Sequence, residues 1–211
     1  THVLLRHVRI EPAGDVRFDV ACACVIKGED FSLASTGDNA HLWLTREARG
    51  TQVRGMTLDG VAAIGLRRIE LSGAAGRNTL SNSTYSCDHG VAFDLDADGS
   101  DAEFVLRDVS TRGCAGVVVS QSQKEHRVDL RLERVHIEGA GHGDNDPDGI
   151  YATANSRTNL TLVDSTITAT RYALDAREGD RLALENVTLS SNGNATDPHE
   201  GASLAMHRST L

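Results

Sequence analysis

The feature that most restricts this chain is an eight-residue pattern that returns along its length: apolar, any, apolar, any, any, apolar, any, apolar. It reads as Val3-Leu5-Val8-Ile10, Ile64-Leu66-Ile69-Leu71, Leu130-Leu132-Val135-Ile137 and Leu182-Leu184-Val187-Leu189. Looser copies are Thr51-Val53-Met56-Leu58, Phe104-Leu106-Val109-Thr111, Leu160-Leu162-Ser165-Ile167 and Leu204-Met206-Ser209-Leu211. Each half alternates with period two, so each half reads as a short strand with one inward face. The two middle residues break the alternation once, as a corner between two extended pieces would. The second corner residue is often one that tolerates a left-handed backbone: His7, Gly55, Asp108, Asp164, Asn186. Arg68, Arg134 and Arg208 depart from that preference.

The last four copies begin at residues 130, 160, 182 and 204, with spacings of 30, 22 and 22. A solenoid turn takes about 20–30 residues. The copies at 51 and 64 lie too close together for separate turns, so one of them belongs to another strand of the same turn. A third strand precedes several copies: Gly90-Val-Ala-Phe-Asp-Leu, Gly116-Val-Val-Val-Ser-Gln, Gly149-Ile-Tyr-Ala-Thr-Ala and Arg171-Tyr-Ala-Leu-Asp-Ala. Three of these begin with Gly, which suits a sharp approach. Aromatic residues make up only 4% of the chain, and a solenoid interior of stacked small aliphatics needs few of them. The expected fold is all-β: one parallel β-helix over residues 1–211, with three short strands per turn and about 22–30 residues per turn. The chain opens and closes inside strand-like patterns, whereas solenoid ends need polar caps. It is therefore expected to be a segment of a longer protein.

The pattern resembles the pectin-lyase-fold superfamily of right-handed parallel β-helices. Asn159-Leu-Thr-Leu-Val-Asp-Ser-Thr-Ile167 together with Leu182-Ala-Leu-Glu-Asn-Val-Thr-Leu189 resembles the passenger domains of pertactin-like bacterial autotransporters. The resemblance covers residues 90–211 best. It implies a secreted or cell-surface bacterial protein, a virulence factor, whose partner is a polysaccharide or host-surface glycan. It also implies that the strand before the eight-residue pattern borders a binding groove. If Val91, Phe93 and Leu95 point inward, Asp94 and Asp96 point out. The same columns are then expected to hold Ser120 and Ser122, Thr153 and Asn155, and Asp175 and Arg177, with Tyr151 one step earlier. Related lyases and epimerases use an Arg, Lys or His base, and related hydrolases use clustered Asp. The resemblance thus implies Asp94, Asp175 and Arg177 as catalytic candidates and Tyr151, Thr153 and Asn155 as substrate-binding residues. The plain alternative is a solvated charged face.

Further stretches are candidates. Gly141-His142-Gly143 and Asn145-Asp146-Pro147-Asp148-Gly149 are similar to two pieces of polygalacturonase-type motifs, in reversed order and without an Asp pair between them. They add His142, Asp146 and Asp148 to the catalytic candidates; the alternative is a corner loop, which these residue types favour. Asp197-Pro-His199-Glu200 is similar to the Asp-Pro-His-Asp motif of mannuronan epimerases, with Glu200 replacing the last Asp. Asp94, Asp96 and Asp98, followed by Gly99, resemble the start of a calcium loop, whose hard cation takes six to eight oxygens. Val105 stands where the closing Glu is expected, and an acidic Asp-Gly turn is the alternative. Ser83-Thr-Tyr-Ser-Cys87 aligns with Ser110-Thr-Arg-Gly-Cys114. Neighbouring turns would bring these cysteines to about 4.8 Å at the backbone, so they form either a Cys87–Cys114 disulfide or an unbonded core stack.

The net charge of -9, with no Lys/Arg cluster, repels nucleic-acid phosphates and excludes nucleic acid as a partner. It also disfavours polyuronates and permits neutral glycans. No apolar run approaches the ~18 residues of a membrane span. The expected function is an extracellular bacterial binding or display module. The alternatives are a carbohydrate-active enzyme (lyase, epimerase or hydrolase) and a trimeric phage tail-spike segment.

Overall fold

A computed structural model describes residues 2–7, 9–10, 16–19, 25–34, 41–45, 57–64, 68–72, 76–86, 91–96, 101–113, 115–120, 126–140, 149–152, 157–176, 180–191, 196–198 and 202–211. Two parallel sheets wrap one interior, and each turn of chain contributes to both. In the first sheet the strands His2–Arg6, Val25–Ala34, Thr57–Ile64, Gly76–Ser86, Ala102–Arg112, Val128–Glu133, Thr158–Val163, Arg181–Glu185 and Ser203–His207 stack in sequence order. The second sheet stacks Val16–Asp19, His41–Thr45, Arg68–Ser72, Val91–Asp96, Ala115–Ser120, Ile150–Ala152, Leu174–Ala176 and Thr196–Pro198 in the same way. No helix occurs among the described residues. The expected parallel β-helix is therefore what the chain forms.

The register explains the eight-residue pattern. Leu106 pairs with Leu132, Leu132 with Leu162, Leu162 with Leu184, and Leu184 with Met206. The second half of each pattern forms its own column, Thr111–Ile137–Ile167–Leu189. Both columns face inward and are buried from Leu106 to Leu189. Each fully buried Leu contributes roughly 1.5–3 kcal/mol of hydrophobic stabilisation. From residue 128 on, two strands flank the corner on each rung, as in Val128–Glu133 and His136–Ala140. Together with the second sheet this gives three strands per turn.

The corner is a left-handed residue on rung after rung. His7, Asn82, Asp108, Arg134, Asp164, Asn186 and Arg208 all have φ between 49 and 54°. Arg134 and Arg208, which the residue preference leaves out, adopt the same corner as the Asp and Asn positions. The geometry is imposed by the stack. For Arg134, side-chain bonding helps hold it: Nε and Nη2 donate to the two carboxylate oxygens of Asp108 one rung below, at 2.6 and 2.8 Å. This pair keeps the Asp108 carboxyl below its ordinary pKa. A non-glycine left-handed residue costs about 1–2 kcal/mol, and an exposed ion pair returns under about 1 kcal/mol. Arg134→Gly is therefore expected to be more stable than Arg134→Ala by about 1 kcal/mol, as read by urea denaturation. Equal stabilities would mean that the corner carries no backbone strain.

Serine takes the place of an aliphatic beside several corners for a reason of its own. Ser165 Oγ donates to Val163 O at 2.8 Å and accepts the Val135 N–H of the previous rung at 3.0 Å. Ser209 repeats both bonds, to His207 O at 2.9 Å and from Val187 N at 3.1 Å. The left-handed residue turns a backbone N–H out of the ladder, and the hydroxyl satisfies it.

Two readings of the sequence need correction, and one further copy emerges. Leu58 pairs with Leu80 and Ala63 with Tyr85, so the rung is built on residues 57–64 and Thr51-Val53-Met56-Leu58 is not a copy of the corner pattern. Ile64-Leu66-Ile69-Leu71 is not one either: Ile64 ends a first-sheet strand, whereas Ile69 and Leu71 lie in the second sheet. A genuine copy, Asn78-Leu80-Ser83-Tyr85, is hidden because two of its four inward residues are polar; all four are buried.

Candidate functional site

The outer face of the second sheet is where the sequence places its candidates, and the strand register decides which residues share a column. One register column runs Val16, Leu42, Ile69, Phe93, Val117, Ile150 and Leu174. Val117, Ile150 and Leu174 are buried. Because strand side chains alternate, the next position on each strand belongs to the outward register. That column reads Arg17, Trp43, Glu70, Asp94, Val118, Tyr151, Asp175 and Asp197. Neighbours along it are one strand spacing apart, about 4.8 Å. Two positions further on, Asp19 pairs with Thr45, Thr45 with Ser72, and Asp96 with Ser120. The register thus aligns one column of aromatic and acidic residues beside one of hydroxyl and acidic residues.

Asp94 and Asp175 do share a column, but its other members differ from the expectation. Ser120 pairs with Asp96, and Asp175 pairs with Tyr151, so Thr153 is not its neighbour. Aligning Gly90 with Gly116 is the source of the error. The register sets Phe93 opposite Val117, a slip of two residues. A slip of two keeps each residue on its face and moves it along the strand, so the facing survives and the neighbours change.

Asp175 is not a solvated surface carboxylate. It sits in the outward register but is only 2% exposed. Tyr151, its neighbour on the previous rung, is half-buried. Just before this strand, the Arg171 guanidinium lies 4.9 Å from the Tyr172 ring centroid, a cation–π contact. Tyr172 O accepts the Gly149 N–H at 2.8 Å and so ties this turn to the Tyr151 rung. A carboxylate can be kept in such a place only by polar company or by protonation.

Other candidates are less informative. Arg177, His142, Asp146, Asp148, Thr153, Asn155, Asp98, Cys87 and Cys114 lie outside the described residues. Asp94 and Asp96 belong to the extended strand Val91–Asp96. Among the described residues no three His, Cys, Asp or Glu side chains converge as a metal site.

The first sheet offers a contrast. Its outer face is tied up in ion pairs between adjacent rungs, including Arg107–Glu133 at 2.6 Å and Arg112–Glu138 at 2.9 Å. Arg107 first, and then Arg131, hold the Glu133 carboxyl below its ordinary pKa. Charges already paired with one another are poor ligands for a neutral polymer.

Comparison with protein-family models, curated proteins and solved structures gave no match.

Trp43 and Glu70 are members of this column that sequence reasoning passed over, and Asp197, singled out only as part of the Asp197-Pro-His199-Glu200 stretch, joins them there. The signal for Trp43 was available, since it is the single Trp of the chain. Its column could not be assigned until the turns between residues 11 and 85 were registered.

Proposed function

We propose that this chain is an extracellular bacterial binding module that holds a glycan along the outer face of its second sheet. One observation carries the reading: Trp43 and Tyr151 share a register column with Glu70, Asp94 and Asp197, while Asp175 in the same column is buried. Sugar rings present apolar C–H faces and rims of hydroxyls. Aromatic faces suit the former, and carboxylates accept hydrogen bonds from the latter. The rise of about 4.8 Å per rung is close to the length of one sugar unit, so a linear glycan lying along the solenoid axis meets an equivalent position on each turn. A neutral glycan fits best, because the chain carries a net charge of -9 and a polyanion would be repelled.

The test is affinity electrophoresis and calorimetry against a panel of neutral and acidic polysaccharides. Wild-type protein is expected to be retarded by a neutral glycan. Trp43→Ala and Tyr151→Ala are each expected to weaken binding about tenfold or more, the effect of losing an aromatic anchor. No binding across the panel, or binding indifferent to both substitutions, would overturn the reading.

A second reading, that the face is the active site of a glycan-cleaving enzyme, is favoured by the burial of Asp175 beside the Asp197 position. A carboxyl removed from water is suited to holding a proton for a leaving group. Under this reading wild-type protein releases reducing ends from the glycan it binds, and Asp175→Asn keeps binding while losing release. Binding without release leaves the binding module standing.

A further inference from the structure

Trp43 and Tyr151 stand in one register column of the second sheet, and three positions lie between them: Glu70, Asp94 and Val118. The two aromatic positions are therefore four rungs apart. At about 4.8 Å per rung they are separated by about 19 Å along the solenoid axis. No short ligand reaches both. The position after Tyr151 is Asp175, which pairs with it and is 2% exposed. A side chain so withdrawn from water leaves little surface for a ligand to rest on, so Tyr151 closes the stretch.

Where the face holds a linear glycan, this separation selects among linkages. Pyranose rings joined through equatorial bonds at both ends, as in the β-1,4 linkage of glucose or mannose, form an extended ribbon. Such a ribbon advances by about one rung per sugar. Its successive rings are turned over, so rings an even number of units apart present the same face. Four rungs is an even number. The rings at the Trp43 and Tyr151 positions then offer both aromatics the same apolar C–H face. The α-1,4 linkage of glucose coils its chain instead, and a coil leaves the column before it has crossed from one aromatic to the other. The residue types between the anchors suit a ribbon. Glu70 and Asp94 are acceptors for a rim of hydroxyls, and Val118 is apolar.

Resting on the glycan-binding reading, we infer that the ligand is a neutral β-1,4-linked glycan of equatorially joined hexoses. Its binding unit is about five sugars, one to each position from Trp43 to Tyr151. Neutrality follows from the net charge of -9. Linkage and length follow from the separation of the anchors.

Calorimetric titration of the full 211-residue chain with β-1,4-linked gluco- and manno-oligosaccharides, from dimer to hexamer, reads the length directly. Affinity is expected to rise about tenfold from tetramer to pentamer, the gain from engaging a second aromatic anchor, and to level off at the hexamer. α-1,4-linked glucose oligomers of the same lengths are expected to give no binding heat. Trp43→Ala and Tyr151→Ala are each expected to abolish the step between tetramer and pentamer, with the melting temperature read alongside to confirm folding. The length series on the wild-type chain stands without either variant. Binding already maximal at the trimer, binding equal for α- and β-linked pentamers, or binding confined to polysaccharides without β-1,4 links would overturn the inference and leave a glycan-binding face in place. Failure of every oligomer and every polysaccharide to bind would remove the glycan-binding reading, and the linkage and length with it.

Discussion

Replacing Gly149 with alanine is expected to destabilise the solenoid by about 3 kcal/mol or more, at the upper end of what overpacking does. A methyl group at this position would collide with Ile167 Cγ2 and would stand 2.5 Å from the carbonyl oxygen of Ala173. The oxygen cannot yield, because it already accepts the Ile150 N–H at 3.0 Å. Any movement that relieves the methyl breaks the ladder between two turns. Gly116 repeats the arrangement one rung earlier: its added Cβ would meet Gly149 O and would lie 2.5 Å from Ile137 Cδ1. Gly149 O is itself bonded to the Val117 N–H at 2.9 Å. These glycines are required because the second sheet begins where the chain passes closest to the isoleucine column. Neither has the positive φ of a tight turn, the role a sharp approach to the strand would have given them. For a domain of this size the melting temperature is expected to fall by about 6–12 °C in a circular dichroism scan. A variant melting within a degree of wild type would show that the turns stack less closely than described.

The second large effect concerns the leucine column of the first sheet. Leu162 is 0% exposed and lies between Leu132 and Leu184 on the adjacent rungs. Leu162→Ala is expected to cost about 2–5 kcal/mol, combining lost transfer energy with a cavity that the hydrogen-bonded rungs cannot close. Met206 stands in the same column on the last rung and is 41% exposed. Met206→Ala is expected to cost under about 1 kcal/mol, because little apolar area leaves water there on folding. The two variants remove comparable side chains from equivalent backbone positions, so their difference isolates burial. Denaturant titration reads both; equal losses would mean that the last rung is covered in solution.

The parallel solenoid was legible because its core is written in a local pattern. Four inward aliphatics separated by 2, 3 and 2 residues survive a variable loop, since the spacing inside the octet is fixed by the corner and only the spacing between octets changes. The pattern failed where the physics allowed substitution. Asn78-Leu80-Ser83-Tyr85 was invisible because a narrow core accepts polar residues whose hydrogen bonds close locally, as Ser83 Oγ does with Ser81 O at 2.7 Å. It misled at residues 64–71, where two strands of different sheets happen to lie three residues apart. Arg134 and Arg208 looked wrong for a left-handed corner because preference describes isolated residues, and here the stacked rungs impose the conformation. The candidate face was legible as a face and not as a set of neighbours. Period two fixes which residues point out, whereas only strand pairing shows that Asp175 lies beside Tyr151 and that Trp43 and Glu70 belong to the same column. The burial of Asp175 had no sequence signal, because alternation predicts exposure for it.

The claim beneath all of this is parallel, in-register stacking of turns 22 residues apart near the end of the chain. The most direct test is amide-to-amide Overhauser spectroscopy on deuterated, isotope-labelled protein. Cross-peaks of the parallel-strand type are predicted along the series around Leu162, Leu184 and Met206, and along the series around Ile167 and Leu189. Amide cross-peaks whose partner numbers fall as the residue number rises, the antiparallel order, or correlations shifted off these partners by an odd number of residues, would contradict the stack and every outward column read from it.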